Sequence, residues 1–202
     1  MGSEMCIRDS NCFAVIDLVS RKWISTLVSA EETATQTQVV FLDALEAENL
    51  IGVVEDRLDT GEVPDPDQIP ILLAVSDNGA PMTADTTKAF MALCSIAQHF
   101  GRPNTPTDQA LIESFFGHIK SEWPHLEAIT DPQTLNAELE RVRIEYNTAR
   151  LHAGIGYVTP DDEHQHKGET IRQARQHGLT RADQARRAAR RTTNHPKPHH
   201  AD

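Results

Sequence analysis

Two carboxylates, Asp77 and Glu113, sit in settings suited to hard-metal chemistry. Asp77 follows the compact apolar run Ile71 to Val75 inside the turn-forming stretch Ser76-Asp77-Asn78-Gly79. Glu113 lies in the helical stretch Ala110-Leu-Ile-Glu-Ser-Phe-Phe-Gly-His-Ile-Lys120, with 35 residues between the two acids. A carboxylate at a strand's end, aimed at another on a nearby helix, can hold divalent cations through oxygen ligands. Two such ions about 4 Å apart activate a hydroxyl and stabilise the leaving oxygen in phosphodiester displacement. Lys120, seven positions after Glu113, falls on the same helix face two turns on and could hold a phosphate beside the metals. Each residue also has an ordinary reading, since Ser-Asp-Asn-Gly is a common turn and a Glu on an amphipathic helix is usually solvated.

The elements that must position these groups can be read from periodicity. Phe13 to Leu18 and Lys22 to Val28 are short, rich in β-branched and aromatic residues, and read as a hairpin. Glu31 to Leu50 has helical spacing, whereas Gly52 to Pro70, with six acids and three prolines, reads as a loop or linker. Ile71 to Val75 reads as a buried strand at a sheet centre. Phe90, Leu93, Cys94 and Ala97 put a helix over Thr83 to Phe100, and further helices are expected from near Asp108 to Glu122 and from Pro132 onward. Ile171 to Arg191 reads as a helix broken around Gly178, with Thr180 capping its second half, before a mobile His-rich end.

Composition narrows the class. No apolar run is long enough to span a membrane, and the opening ten residues carry Glu4, Arg8 and Asp9 with no secretory core, so a foreign or misassembled start is expected at 1–10. Three cysteines without pairing or metal spacing suggest neither a disulfide framework nor a zinc site, and fit a reducing cytoplasm. The net charge of −11 weighs against a nucleic-acid binder, but it is unevenly spread. Residues 171–202 hold eight basic residues against two acids, which leaves the acidic excess on the body. A basic tail on an acidic body is compatible with DNA contact through the tail and carboxylate chemistry in the body, although each block can equally be a solvated surface. The scattered histidines, among them His99, His118, His125 and His152, read as neutral surface residues.

The segment Asp108-Gln-Ala-Leu-Ile-Glu113-Ser-Phe-Phe-Gly-His-Ile-Lys120-Ser-Glu122 resembles the integrase catalytic core shared by insertion-sequence transposases and retroviral integrases. In that family a Glu placed 35 residues after an Asp-Asn-Gly opens such a helix. Val15-Ile-Asp17-Leu-Val-Ser-Arg21-Lys resembles its hairpin, in which Asp17 belongs to the turn, and Tyr146-Asn147-Thr-Ala-Arg150-Leu-His152 with Thr159-Pro160 resembles its closing segment. The resemblance covers about residues 13–161. It implies a ribonuclease H-like α/β fold, a mixed sheet flanked by helices with its first strand missing, as a partial catalytic core over 11–165 followed by a basic helical tail over 166–202. It also implies Asp77 and Glu113 as catalytic metal ligands, Lys120 and Arg150 as DNA contacts, and Mg2+ or Mn2+ as cofactor, in a two-metal site in the intact family member. The expected activity is metal-dependent strand transfer on DNA ends and target by a homo-oligomer, away from membranes, in the bacterial cytoplasm at the nucleoid. The family's first aspartate lies on a strand before the hairpin, and no stretch here matches it. A remnant that binds DNA or oligomerises without catalysis is therefore the alternative, as is a nuclease of the same fold. Phe115 and Phe116 are expected to anchor their helix rather than stack on bases.

Overall fold

The computed structural model describes the backbone of residues 5–7, 10–59, 69–76, 78–100 and 106–193, and the side chains of 10–56, 69–76, 78–100 and 114–191. The hairpin forms as expected. Strands β1 (Met5–Ile7), β2 (Ser10–Ile16) and β3 (Trp23–Ser29) make an antiparallel sheet in the order β1-β2-β3, with Phe13 opposite Leu27. Part of the opening stretch set apart by its composition thus pairs with β2. The turn is closed by Asp17, whose carboxylate accepts from the Val19 and Ser20 amides and the Ser20 hydroxyl, while Arg21 takes left-handed backbone with φ 66°.

Because side chains alternate across a strand, β2 faces two cores. Cys12 and Ala14 pack into one with Trp23, Phe115, Ile119, Leu135, Leu139 and Tyr146. Phe13 packs into the other with Val40, Phe41, Leu45, Ala74, Met91 and Ile96. This second core covers helix α1 (Ala34–Ala47), whose start is capped by the Thr33 hydroxyl accepting the Thr35 amide.

Three segments depart from the sequence reading. Ile51–Asp59, expected as linker, is helix α2, because Val54 reaches the second core and anchors an otherwise charged turn. Strand β4 (Leu72–Ser76) forms where expected, but among the described residues it hydrogen-bonds only to strand β5 (Ile96–Phe100), in parallel, and Leu73 is 60% exposed rather than central. Between them run helices α3 (Ala80–Thr83) and α4 (Asp85–Leu93). The helix expected through Phe100 ends at Leu93, and Ser95 turns left-handed at φ 54°, freeing the next five residues to pair with β4.

Helix α5 (Pro106–Glu122) carries Glu113, and Pro132 opens helix α6 (Pro132–Thr148), capped by Asp131 accepting the Thr134 amide. Leu135, Leu139, Val142 and Tyr146 form the buried stripe of α6. Trp23, Phe115 and Tyr146 meet edge to face, with centroids 5.0 to 6.2 Å apart, so Phe115 anchors its helix as expected. Asn147 completes the joint by acting as a strand: its Oδ1 accepts the Trp23 amide at 2.9 Å and its Nδ2 donates to the Trp23 carbonyl at 2.8 Å. A buried backbone edge that no strand covers is satisfied this way.

After Thr159, helix α7 (Pro160–His164) returns to the hairpin. His164 lies within 3.4 Å of Asp17 and within 2.8 Å of Glu48, which also pairs with Lys22 at 2.7 Å. Helix α8 (Gly168–Thr193) is continuous, against the expected break: Gly178 has open space around it and Thr180 donates back to the Gln176 carbonyl instead of capping. A single glycine costs a helix only about 1 kcal/mol, which the surrounding Ala, Arg and Gln residues tolerate. Arg172 roots α8 by donating to the Ile155 carbonyl at 2.9 Å and to Glu163 at 2.7 Å.

Candidate functional site

The hairpin turn, α5 and the end of α6 converge on a pocket of about 170 Å³. Ile16, Leu18, Phe115 and Tyr146 supply its apolar surface, and Arg21, Ser114, His118, Arg150 and His152 its polar groups. Ser114 directly follows Glu113, so the pocket adjoins the helix singled out for catalysis.

Arg150 grips Glu122 with both arms of its guanidinium, Nε to Oε2 at 2.7 Å and Nη2 to Oε1 at 2.6 Å, and lies 5.3 Å from the Tyr146 ring centre. The hydrogen bonds from Arg150 hold the Glu122 carboxyl below its ordinary range. This fork ties the end of α5 to the end of α6, so the residue expected to contact DNA also has an internal structural partner. Burial, then the positive charges of Arg150, Arg21 and His118, push the His152 pKa down. The His152 Nδ1 accepts the Gly154 amide at 3.2 Å, which places the proton of the neutral ring on Nε2.

Of the residues singled out in the sequence, Lys120 is half-buried on α5. Asp77 and the Glu113 side chain lie outside the described residues. Among the described residues no three His, Cys, Asp or Glu side chains gather as a metal site would require. Asp17 serves the hairpin turn, as its place in the motif implies. Burial pushes its carboxyl up, but hydrogen bonds from Ser20, Val19 and His164 outweigh burial and lower it overall. Sequence reasoning missed Arg21, Tyr146 and His152 as one cluster. The available signal was the dense Tyr-Asn-Xaa-Xaa-Arg-Xaa-His motif, whose residue types exceed what a connector needs.

With that geometry described, known proteins show what it resembles. Residues 94–160 match the integrase core domain family, a span that includes Glu113, Lys120, Arg150 and His152. Over this segment the chain is similar to the integrase core family. The transposase for insertion sequence element IS904 of Lactococcus lactis subsp. lactis (strain IL1403) is 27% identical over 96 residues, 46% of this chain and 37% of the relative's length. In three dimensions the chain resembles the catalytic core domain of BIV integrase with a TM-score of 0.57 and 18% identity, covering 84% of this chain and 94% of that one. It resembles a chain of the simian T-cell lymphotropic virus intasome in complex with PP2A regulatory subunit B56 gamma with a TM-score of 0.51 and 14% identity, over 76% and 47% of the two chains. The integrase-core fold is the ribonuclease H-like one expected from the motifs. Among the described residues no helix is long and apolar enough to cross a membrane.

Proposed function

We propose that this chain is the core of a DNA strand-transfer protein of the transposase or integrase kind, acting on DNA ends as donor and DNA as acceptor. The observation that carries the reading is the integrase-core match over residues 94–160, which contains the Glu113-to-Lys120 helix. The carboxylate set supports it chemically. Asp77 and Glu113 would hold Mg2+ or Mn2+ through oxygen ligands, and such an ion, when bound, supplies positive charge to the phosphodiester under attack. Lys120, on the same helix as Glu113, orients a backbone phosphate, and the Arg150–Glu122 fork fixes the end of that helix. DNA is the partner, and the protein works as a homo-oligomer at the bacterial nucleoid.

The test is joining of labelled oligonucleotides bearing element ends, with magnesium or manganese. Joining by this chain, in which no stretch matches the family's first aspartate, is expected to be poor, and Asp77→Ala and Glu113→Ala are each expected to reduce it to background while leaving duplex binding in place. Duplex binding without metal-dependent joining by the unaltered chain would replace the enzyme with a non-catalytic DNA-binding remnant. Joining that survives both substitutions would remove the carboxylate mechanism.

A further inference from the structure

The pocket beside α5 has a donor set that the proposed metal chemistry leaves unused. We propose that it is a phosphate site, seating one phosphodiester group of a DNA strand beside the helix that carries Glu113, an inference that rests on the DNA reading above.

Unspent donors carry the argument. Arg21 Nε is buried and has no hydrogen-bond partner, although a guanidinium N–H left so costs stability. Tyr146 is 3% exposed and lines the pocket, yet its hydroxyl donates no hydrogen bond among the described residues. His152 offers Nε2–H, since its Nδ1 accepts the Gly154 amide. Arg150 spends Nε and Nη2 on Glu122 and keeps Nη1. The pocket therefore has donors from separate elements around one space, and the Glu122 carboxylate that could balance them is already gripped by Arg150.

Such a set selects an oxyanion. A neutral ligand would leave the positive charge uncompensated, and a cation would be repelled by it. A phosphate presents several acceptor oxygens and forms charge-assisted bonds, which are the strongest of their kind. The apolar surface from Ile16, Leu18 and Phe115 lowers the local dielectric, so each donor counts for more than it would in water. The space of about 170 Å³ accommodates a tetrahedral anion. Ser114, next in sequence to Glu113, lines it, and that neighbourhood favours a strand phosphate over a free one.

The experiment titrates the full chain with inorganic phosphate at ionic strength held constant with sodium chloride, following the His152 ring resonances by NMR, and in parallel measures binding of a short duplex. The expected result is a saturable His152 shift that weakens about tenfold in Tyr146→Phe and in Arg21→Gln, with a matching loss of duplex affinity. Arg190→Gln, an exposed cation on α8, should leave the His152 titration as it was. Tyr146→Phe removes one oxygen and keeps the ring packing, so the test stands even if Arg21→Gln unfolds the hairpin. Shifts that chloride alone reproduces, or that Tyr146→Phe does not change, would overturn the site. Phosphate binding that Tyr146→Phe weakens, with duplex affinity untouched, would overturn the phosphodiester assignment and leave the DNA reading standing. Phosphate binding by a chain that takes no duplex would overturn both.

Discussion

Helices α6 and α8 are the two long helices after the site, and they are held in opposite ways. α6 is 17 residues long and positioned by burial: Leu135, Leu139, Val142 and Tyr146 face the core, and Asn147 stitches its end to β3. α8 is 26 residues long and exposed along most of its length, with Leu179 64% exposed, and its position depends on the polar joint at Arg172. Burial fixes where the site's side chains lie, whereas α8 carries seven arginines whose placement depends on a few hydrogen bonds. A core integral to the site and an arm attached to it should fail under different perturbations.

The largest effect should come from emptying the core under α6. Leu139→Ala removes a fully buried side chain and should cost about 2–5 kcal/mol in chemical denaturation, by lost transfer energy and the cavity left behind. A cost below about 1 kcal/mol would mean that α6 is not seated by that stripe. Next is Asn147→Ala, which leaves the Trp23 amide and carbonyl unpaired in a buried site and should cost about 2–3 kcal/mol. Asn147→Asp should restore only the acceptor half, so denaturation midpoints in the order wild type, Asp, Ala are expected.

Acidification addresses the link between the two regions, the His164 bridge from α7 to the hairpin. In Asp17 burial raises the carboxyl but Ser20, Val19 and His164 lower it further; in Glu48 burial is likewise outweighed by Lys22 and His164. Both folded values are depressed, so these carboxylates stabilise the fold above their unfolded values, near 3.8 and 4.5, and that contribution is lost as pH falls through the lower folded values. Stability should therefore drop on acidification below about pH 5, and the drop should shrink in Asp17→Asn. An unchanged acid profile in that variant would show that the bridge contributes nothing. Smallest in stability is Arg172→Ala, which should barely move the denaturation midpoint because the joint is partly exposed and screened by solvent. Amide exchange should nonetheless speed up along α8 while α6 keeps its protection.

The same contrast explains what could be read from sequence. The hairpin and α6 were legible because their apolar periods match strand and helix and their ends carry turn and cap residues. β5 was not, because Phe90, Leu93, Cys94 and Ala97 keep helical spacing across the break, and only the left-handed Ser95 and the distant partner β4 divide them. α2 was hidden by its acids, with only Ile51 and Val54 among its described side chains packed on the second core. α8 looked broken because Gly178 usually punctuates, yet no packing demand exists there to make the cost matter. At the site, Asp77, Glu113 and Lys120 stood out by their spacing, but Asp77 and the Glu113 side chain lie outside the described residues. The pocket was not legible, since Arg21 comes from the hairpin, far in sequence from the Tyr146-to-His152 motif, and their proximity in the fold leaves no trace in spacing.

The glycines around Arg172 have a mechanical consequence. A Cβ at Gly168 would fall 1.7 Å from Glu163 Oε2, and one at Gly156, with φ +76°, would fall 2.8 Å from Arg172 Cδ. A side chain at Gly168 would have to push the Glu163 carboxylate out of its pairing with Arg172, and one at Gly156 would strain the left-handed backbone. An α-helix of 26 residues rises roughly 39 Å, so a tilt of about 10° at its root would swing the far end by about 7 Å. That swing is comparable to the spacing of successive phosphates along a nucleic-acid strand. Gly156 and Gly168 thus sit at the root of a long arm, where a small change in the seating of Arg172 would be enlarged at the distal arginines.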